Sequence, residues 1–167
     1  MVLDNPRITP VLSDQDITKT VTLAKEIWTE HYTPIIGSEQ VSYMLAKFQS
    51  QEAIAQQIKD GYQYFRISNS EEYGYLSVQA EDKQLFISKI YIKAAARGLG
   101  LGKSLMQLAI TIANENTLTE LRLTVNKHNL HAIAAYEKMG FTKKREVVFD
   151  IGNGYVMDDY EMVRLLT

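Results

Sequence analysis

Arg97-Gly98-Leu99-Gly100-Leu101-Gly102-Lys103-Ser104 is the stretch on which the reading of this chain turns. It follows a β-rich run ending at Ile92 and opens an amphipathic segment that reaches about Asn116. Glycines at a strand-to-helix junction admit positive φ and let a ligand come close to the main chain. Successive N–H groups and the helix N-terminus behind them attract anions. Phosphate binding is the first expectation, and spacing has to choose its kind. A Walker A loop requires a glycine five positions before Gly102, where Arg97 stands, so Gly102-Lys103-Ser104 is an accidental match. The Gly-x-Gly-x-x-Gly of dinucleotide folds fails too, because the sixth position from Gly98 is Lys103 and from Gly100 is Leu105.

Upstream, Leu85 to Ile92, Tyr73 to Val78 and Tyr62 to Ile67 are β-rich runs. The turns Glu81-Asp82-Lys83 and Asn69-Ser70-Glu71-Glu72 part them, and such short connections imply an antiparallel meander. Before the meander stand three helical stretches. The first starts at Ser13-Asp14-Gln15-Asp16, carries Ile17, Val21, Ala24, Ile27 and His31 at helical spacing, and is expected to stop at Pro34. Ser38 to Phe48 and Ser50 to Lys59 follow, the latter closed by Gly61, and Ile8 to Leu12 is a short strand ahead of all three. Downstream of the glycine loop the spacing predicts a helix from about Lys103 to Asn116, with Leu101, Leu105, Leu108 and Ile112 along its buried stripe. A strand over Leu121 to Val125, a helix over Asn129 to Lys138 capped by Gly140, and a hairpin of Lys143–Phe149 with Val156–Leu165 complete the order. No repeat or linker interrupts it, so a single domain over 1–167 is expected: an α/β fold of mixed α+β type, with helices on both faces of a mixed sheet.

Composition narrows the function classes. Hydrophobic residues at 46% and charged residues at 23% are ordinary for a globular protein, and no apolar run is long enough to span a membrane. The start MVLDNPRITP lacks the basic and apolar regions of a signal peptide. The absence of cysteine excludes disulfides, thiolate-bound zinc and thiol nucleophiles, and a cytoplasmic location is expected. A net charge of −2 argues against a nucleic-acid partner, and Lys143-Lys144-Arg145 reads as a solvated strand end. Three scattered histidines do not suggest a metal site, and His128 and His131 read as surface or capping residues.

Arg97-x-x-Gly100-x-Gly102 matches the (Gln/Arg)-x-x-Gly-x-(Gly/Ala) signature of the GNAT superfamily of acyl-CoA-dependent N-acetyltransferases. A second block has the family's form Asn-x-x-Ala-x-x-x-Tyr-x-x-x-Gly-Phe, in the right order and separation. Here it runs from Asn129 through Ala132 and Tyr136 to Gly140-Phe141, with Lys138 between them. Leu85 to Ile92 also looks like the family's fourth strand. The chain therefore resembles that superfamily, strongly over about 73–142 and by element order elsewhere. The resemblance implies a GNAT fold: a mostly antiparallel mixed sheet of about seven strands, with the fourth and fifth splayed apart.

It also implies acetyl-CoA as co-substrate and an amine as acceptor. Carried over, the amides of Arg97, Gly98, Leu99, Gly100, Leu101 and Gly102, with Lys103 and Ser104, hold the pyrophosphate. Ile90, Tyr91 and Ile92 take the pantetheine arm beside a bulge, and a main-chain N–H there polarises the thioester carbonyl. Asn129 contacts the arm, Lys138 reaches the phosphates, and Tyr136 is the general acid that protonates the departing sulfur. Many members carry a glutamate on the fourth strand as base. Ser88 and Lys89 stand there in this chain, with no acid between Lys83 and Arg97, so the base stays unassigned among bulk-relayed water, Glu30 and His31. A histidine on an apolar helix face is more often a satisfied core residue.

The acceptor walls are expected from the first helices and the terminal hairpin. Trp28, Glu30, His31, Tyr32, Tyr155 and Asp158 are the candidate contacts, and both segments resemble bacterial spermidine/spermine acetyltransferases. Acidic groups such as Glu30, Asp158 and Asp159 attract a polycation and aromatic rings pack on its ammonium groups. Against this, Asp158 and Asp159 read at least as well as the solvated flank of the Gly152-Asn153-Gly154 turn. A protein N-terminus or lysine as acceptor, and a non-catalytic acyl-CoA-binding module, stay open, as does a homodimer.

Overall fold

Ser13 opens the first helix with a capping box: its Oγ accepts the Asp16 amide at 3.1 Å and Asp16 Oδ2 accepts the Ser13 amide at 3.1 Å. The computed structural model describes residues 5–167. The opening residues 1–4, part of the stretch read above as lacking a signal peptide, lie outside the described residues. Along the chain come β1 (Arg7–Pro10), α1 (Asp14–Ile36), α2 (Ser38–Phe48), α3 (Gln51–Lys59), β2 (Gln63–Ser68), β3 (Glu72–Glu81) and β4 (Gln84–Ile92). A 3₁₀ turn at Ala94–Ala96 leads to α4 (Leu101–Glu115), β5 (Glu120–Asn126), α5 (Leu130–Lys138), β6 (Thr142–Gly152) and β7 (Tyr155–Leu165). No helix among the described residues is long and apolar enough to cross a membrane.

Several strand ends differ from expectation by up to three residues, β3 reaching Glu81 and β6 reaching Gly152, and two helix boundaries differ for identifiable reasons. Helix α1 continues through Pro34 to Ile36. Pro34 sits in the last turn on an exposed face, where the carbonyl it leaves without a partner meets water. The stop is Gly37, at φ 85°, whose N–H donates to the Thr33 carbonyl at 3.0 Å. Helix α4 begins at Leu101, two residues earlier than predicted, because Gly100 at φ 80° turns the chain directly into it.

The seven strands form one sheet in the order β1-β2-β3-β4-β5-β7-β6. Every neighbouring pair is antiparallel except β4 with β5. Helices cover both faces, as their apolar stripes require. On one side α1, α2 and α3 bury Leu23, Ile27, Trp28, Val41 and Ile54 against Tyr64 and Tyr75. On the other, Leu101, Leu105 and Ala109 of α4 and Ile133 of α5 pack on Leu85, Ile87, Leu121 and Leu123. Fully burying one such Leu or Ile is worth about 1.5–3 kcal/mol.

What shapes the functional region is β4. It pairs with β5 only at Gln84–Glu120, Leu85–Leu121 and Phe86–Arg122. From there β4 stays with β3 and β5 stays with β7, so the two diverge as a wedge. Strand β4 also changes phase. Opposite β3, Val78 pairs with Ile87 and Ser77 with Lys89, which leaves Ser88 as an extra residue. The bulge thus lies at Ser88, just ahead of the Ile90–Ile92 segment at which the resemblance had placed it, and follows the point where β5 leaves. Leu85 and Ile87 before it, and Ile90 and Ile92 after it, all face α4. Tyr91 packs with the core of α1–α3, and strand alternation puts Lys89 on the same face. Gly74 lets β3 lie close at this point, since a Cβ there would stand 2.2 Å from the Tyr91 carbonyl oxygen.

Candidate active site

The open wedge is the mouth of a cavity of about 740 Å³ between the splayed strands and helices α1 and α2. At the closed end, Arg122 binds the Glu81 carboxylate through contacts of 3.1 Å to both oxygens, and its guanidinium lies 4.2 Å from the Phe86 ring centre. At the open end, residues from α1, β4, α5 and β7 converge.

The α1 residues are Trp28, His31 and Tyr32. Trp28 and Tyr32 meet edge-on at 5.7 Å, and each packs against Tyr91 of β4. The Tyr32 and Tyr91 hydroxyls are 3.0 Å apart. Burial pushes the Tyr32 phenol up to about 12 and the Tyr91 phenol well above its ordinary value. His31 Nε2 lies 2.9 Å from Nδ2 of Asn129, the N-cap of α5. Burial first, then the nearby Arg97 charge, holds the His31 imidazolium pKa below its ordinary value.

Tyr136, in the last turns of α5, lines the same space and packs edge-on to Phe141 at 5.9 Å. Burial raises its phenol pKa above the ordinary value, so the hydroxyl holds its proton at neutral pH. Asp159 of β7, only 6% exposed, lines the cavity beside Tyr32. Burial, reinforced by the adjacent Asp158 charge, lifts its carboxyl to about 6, while Thr124 and Lys127 pull it the other way.

Beside this corner lies the glycine loop. Gly98 and Gly100 adopt φ of 79° and 80°, with open space where a Cβ would be. No side chain caps α4, whose first intrahelical amide bond is Ser104 N–H to the Gly100 carbonyl at 3.1 Å. The amides of Leu101, Gly102 and Lys103 are thus presented outward at the positive end of the helix dipole. Lys103 and Ser104 are exposed there, and Arg97 reaches the cavity. An uncapped helix start behind two left-handed glycines suits a diphosphate.

The candidate residues sort by position. Trp28, His31, Tyr32, Ile90, Tyr91, Ile92, Arg97, Asn129 and Tyr136 border the cavity. Lys138 is exposed in the last turn of α5, and Leu99 is exposed in the loop. Glu30, Tyr155 and Asp158 lie outside the cavity. Glu30 is one helical step from His31 and faces solvent. Tyr155 packs on Tyr43 at 5.3 Å, and Asp158 binds Lys127 at 2.8 Å. Asp159, read as the solvated flank of a turn rather than an inward group, is instead buried because β7 alternates: Asp159 shares the α1 face with Met157, whereas Asp158 shares the other face with Tyr160. Lys89 also borders the cavity, and only its place on the fourth strand had marked it.

Residues 24–141 match the acetyltransferase (GNAT) family. The chain belongs to that family. The GNAT chain is 26% identical over 152 residues to an uncharacterised N-acetyltransferase of Lactobacillus delbrueckii subsp. lactis, a match that covers 85% of this chain and 88% of the relative. Over 67 residues, 40% of this chain and 43% of the relative, it is 37% identical to the peptidyl-lysine N-acetyltransferase YjaB of Salmonella typhimurium. Its fold is that of the PaiA N-acetyltransferase of Thermoplasma acidophilum, solved in complex with coenzyme A. That structure superposes with a TM-score of 0.82 and 20% identity, over 98% of this chain and 100% of the other. The protein is an acetyl-CoA-dependent N-acetyltransferase.

Proposed function

We propose that the chain transfers the acetyl group of acetyl-CoA to the primary amine of a small acceptor held in the 740 Å³ cavity. The observation that carries this reading is that a protonated phenol, Tyr136, and a buried carboxylate, Asp159, border the same cavity, each near Tyr32. Acetyl-CoA supplies the thioester. The uncapped start of α4 with Gly98, Gly100 and Gly102 binds the diphosphate, Lys103, Ser104 and Lys138 add charge or hydrogen bonds at its rim, and the β4 edge left by β5 takes the pantetheine arm over Ile90–Ile92.

Asp159 accepts the proton that the incoming ammonium must lose. Its lifted pKa leaves it ionised at neutral pH yet a stronger base than a solvated aspartate. The amine then attacks the carbonyl carbon, whose oxygen is met by a free β4 amide. As the C–S bond breaks, Tyr136 delivers its proton to sulfur. His31 is not cast as the base, because its Nε2 is taken by Asn129.

Trp28, Tyr32 and Tyr91 offer ring faces and edges to the acceptor beside Asp159, which supports one ammonium group. Of the acidic groups that favoured a polyamine, Asp159 alone borders the cavity, so spermidine and spermine stand as two members of a test panel. A lysine-bearing peptide belongs in the panel because YjaB bears that name. Thiol release from acetyl-CoA, read with a thiol reagent against polyamines, amino acids, monoamines and peptides, tests the reading. Turnover with a small amine supports it; turnover with peptides alone overturns it.

A further inference from the structure

Among the described residues, Lys89 is the one lysine or arginine bordering the cavity whose place this chemistry does not use. The other cations that border it have work. Arg122 holds Glu81 at 3.1 Å, Lys47 donates to the Ile151 carbonyl at 2.5 Å from an exposed position, and Arg97 belongs to the glycine loop. Lys89 lies on the floor of the wedge, on the acceptor side. Its one partner among the described residues is its neighbour's hydroxyl, Ser88 Oγ, at 2.6 Å. No carboxylate stands within ion-pair distance of it among the described residues.

An ammonium has three N–H donors, and burying it unpaired is costly. Lys89 is half-buried without a counter-charge at a position the bulge creates: the extra residue Ser88 lets strand alternation turn Lys89 to the same face as Tyr91, toward α1. Two residues along a strand are about 6–7 Å apart. Lys89 therefore stands about that far from Tyr91, whose hydroxyl meets Tyr32 at the reacting corner. Burial draws the Lys89 ammonium down to about 8, which leaves it mostly charged at neutral pH.

We propose that Lys89 is an anion subsite of the acceptor cavity, so that the acceptor is a small primary amine that also carries a carboxylate or phosphate. The proposal rests on the small-amine reading above and sharpens it: Asp159 and the aromatic wall receive the amine, and Lys89 receives the oxyanion. A diamine places a second ammonium against Lys89 and is disfavoured.

The test is calorimetric titration of the CoA-loaded protein at pH 7 with four probes: 4-aminobutanoate, 3-aminopropyl phosphate, butylamine and 1,4-diaminobutane. The expected result is at least tenfold tighter binding of the two anionic amines, and the ratio between them tells carboxylate from phosphate. In Lys89→Met the preference disappears while CoA affinity is unchanged; Lys89→Arg retains part of it. Equal affinities, a preference for the diamine, or a preference intact in Lys89→Met would each overturn the subsite. Should Lys89→Met not fold, the wild-type ranking still decides. Acetyl transfer is followed on the same probes. Anion preference without transfer to any amine overturns the proposed function alone, whereas transfer without anion preference overturns the subsite alone.

Discussion

Asn129 and His31 are joined across the wedge, Nδ2 to Nε2, at 2.9 Å. Asn129 Oδ1 accepts the Ala132 amide at 3.3 Å, which fixes the orientation of the amide group. Nδ2 can only donate, so His31 Nε2 is the acceptor and the ring is neutral, with its proton on Nδ1. Removing the link in Asn129→Ala costs about 1 kcal/mol for the lost cap alone. The expected outcome is a lower Tm together with a raised KM for the acceptor, since α1 loses its tie to α5.

The neutral ring also sets a pH dependence. Its folded-state pKa is depressed, so below 6.5 the unfolded chain takes up a proton that the folded one does not. Stability contributed by neutral His31 is present above that value and is lost as pH falls below it. Thermal melts of wild type and His31→Gln between pH 5 and 8 should show the slope in the wild type and a shallower one in the variant. Parallel curves would dismiss the neutral imidazole.

Asp159 has the opposite sign. Its folded pKa of about 6 stands above the ordinary 3.8, so ionising it costs stability as pH rises through 6. Asp159→Asn is expected to melt higher than wild type at pH 8, by up to about 2 kcal/mol of stability, and to have lost most of its activity. In the wild type, kcat/KM should rise with pH through about 6. A variant as active as wild type would remove Asp159 from the chemistry.

Tyr136→Phe keeps the ring that packs on Phe141 and removes only the hydroxyl proposed to protonate sulfur. A fall in kcat of about 10²–10⁴, with CoA affinity within twofold, is expected of a lost general acid. A change confined to KM would recast the residue as a wall.

Gly74→Ala drives a Cβ into the Tyr91 carbonyl and the Ile92 side chain. The backbone oxygen cannot give way cheaply, so destabilisation of about 1–3 kcal/mol is expected. Because the clash lies on the residues that border the wedge, acceptor KM should rise even in the folded fraction.

Much of this was legible in residues with local duties. Ser13 and Asp16 announce a helix start, and Gly98 and Gly100 take the left-handed conformations their type suggests. Pro34 misled because a proline rule written for helix interiors is weak in a final exposed turn. Side-chain direction was harder. Glu30 and His31 are adjacent in sequence, yet one faces water and the other the wedge. Asp158 and Asp159 part in the same way, and only the packing of α1 on the sheet decides which member turns inward. The bulge did leave a mark: apolar residues at Leu85 and Ile87, then at Ile90 and Ile92, skip one step in a period of two. That skip is what brings Lys89 to the floor of the cavity.

The short parallel contact between β4 and β5 has a mechanical side. Three residue pairs join β1–β4 to β5–β7, backed by the Arg122–Glu81 clamp, the Gln84–Glu120 bond at 2.7 Å and the Thr119 amide on the Lys83 carbonyl at 2.8 Å. All of these lie at one end, so the joint resembles the rivet of a pair of tongs whose jaws are Tyr91 on one arm and Asp159 on the other, with side-chain ties from α1 and α2 (His31 to Asn129, Tyr43 to the Ile151 carbonyl) holding the far side. Opening the jaws by a degree or two changes the gap between Asp159 and β4 without breaking a ladder bond. Hydrogen exchange should find the amides of Gln84–Phe86 and Glu120–Arg122, at the joint, better protected than those of β4 beyond it, where β5 no longer pairs.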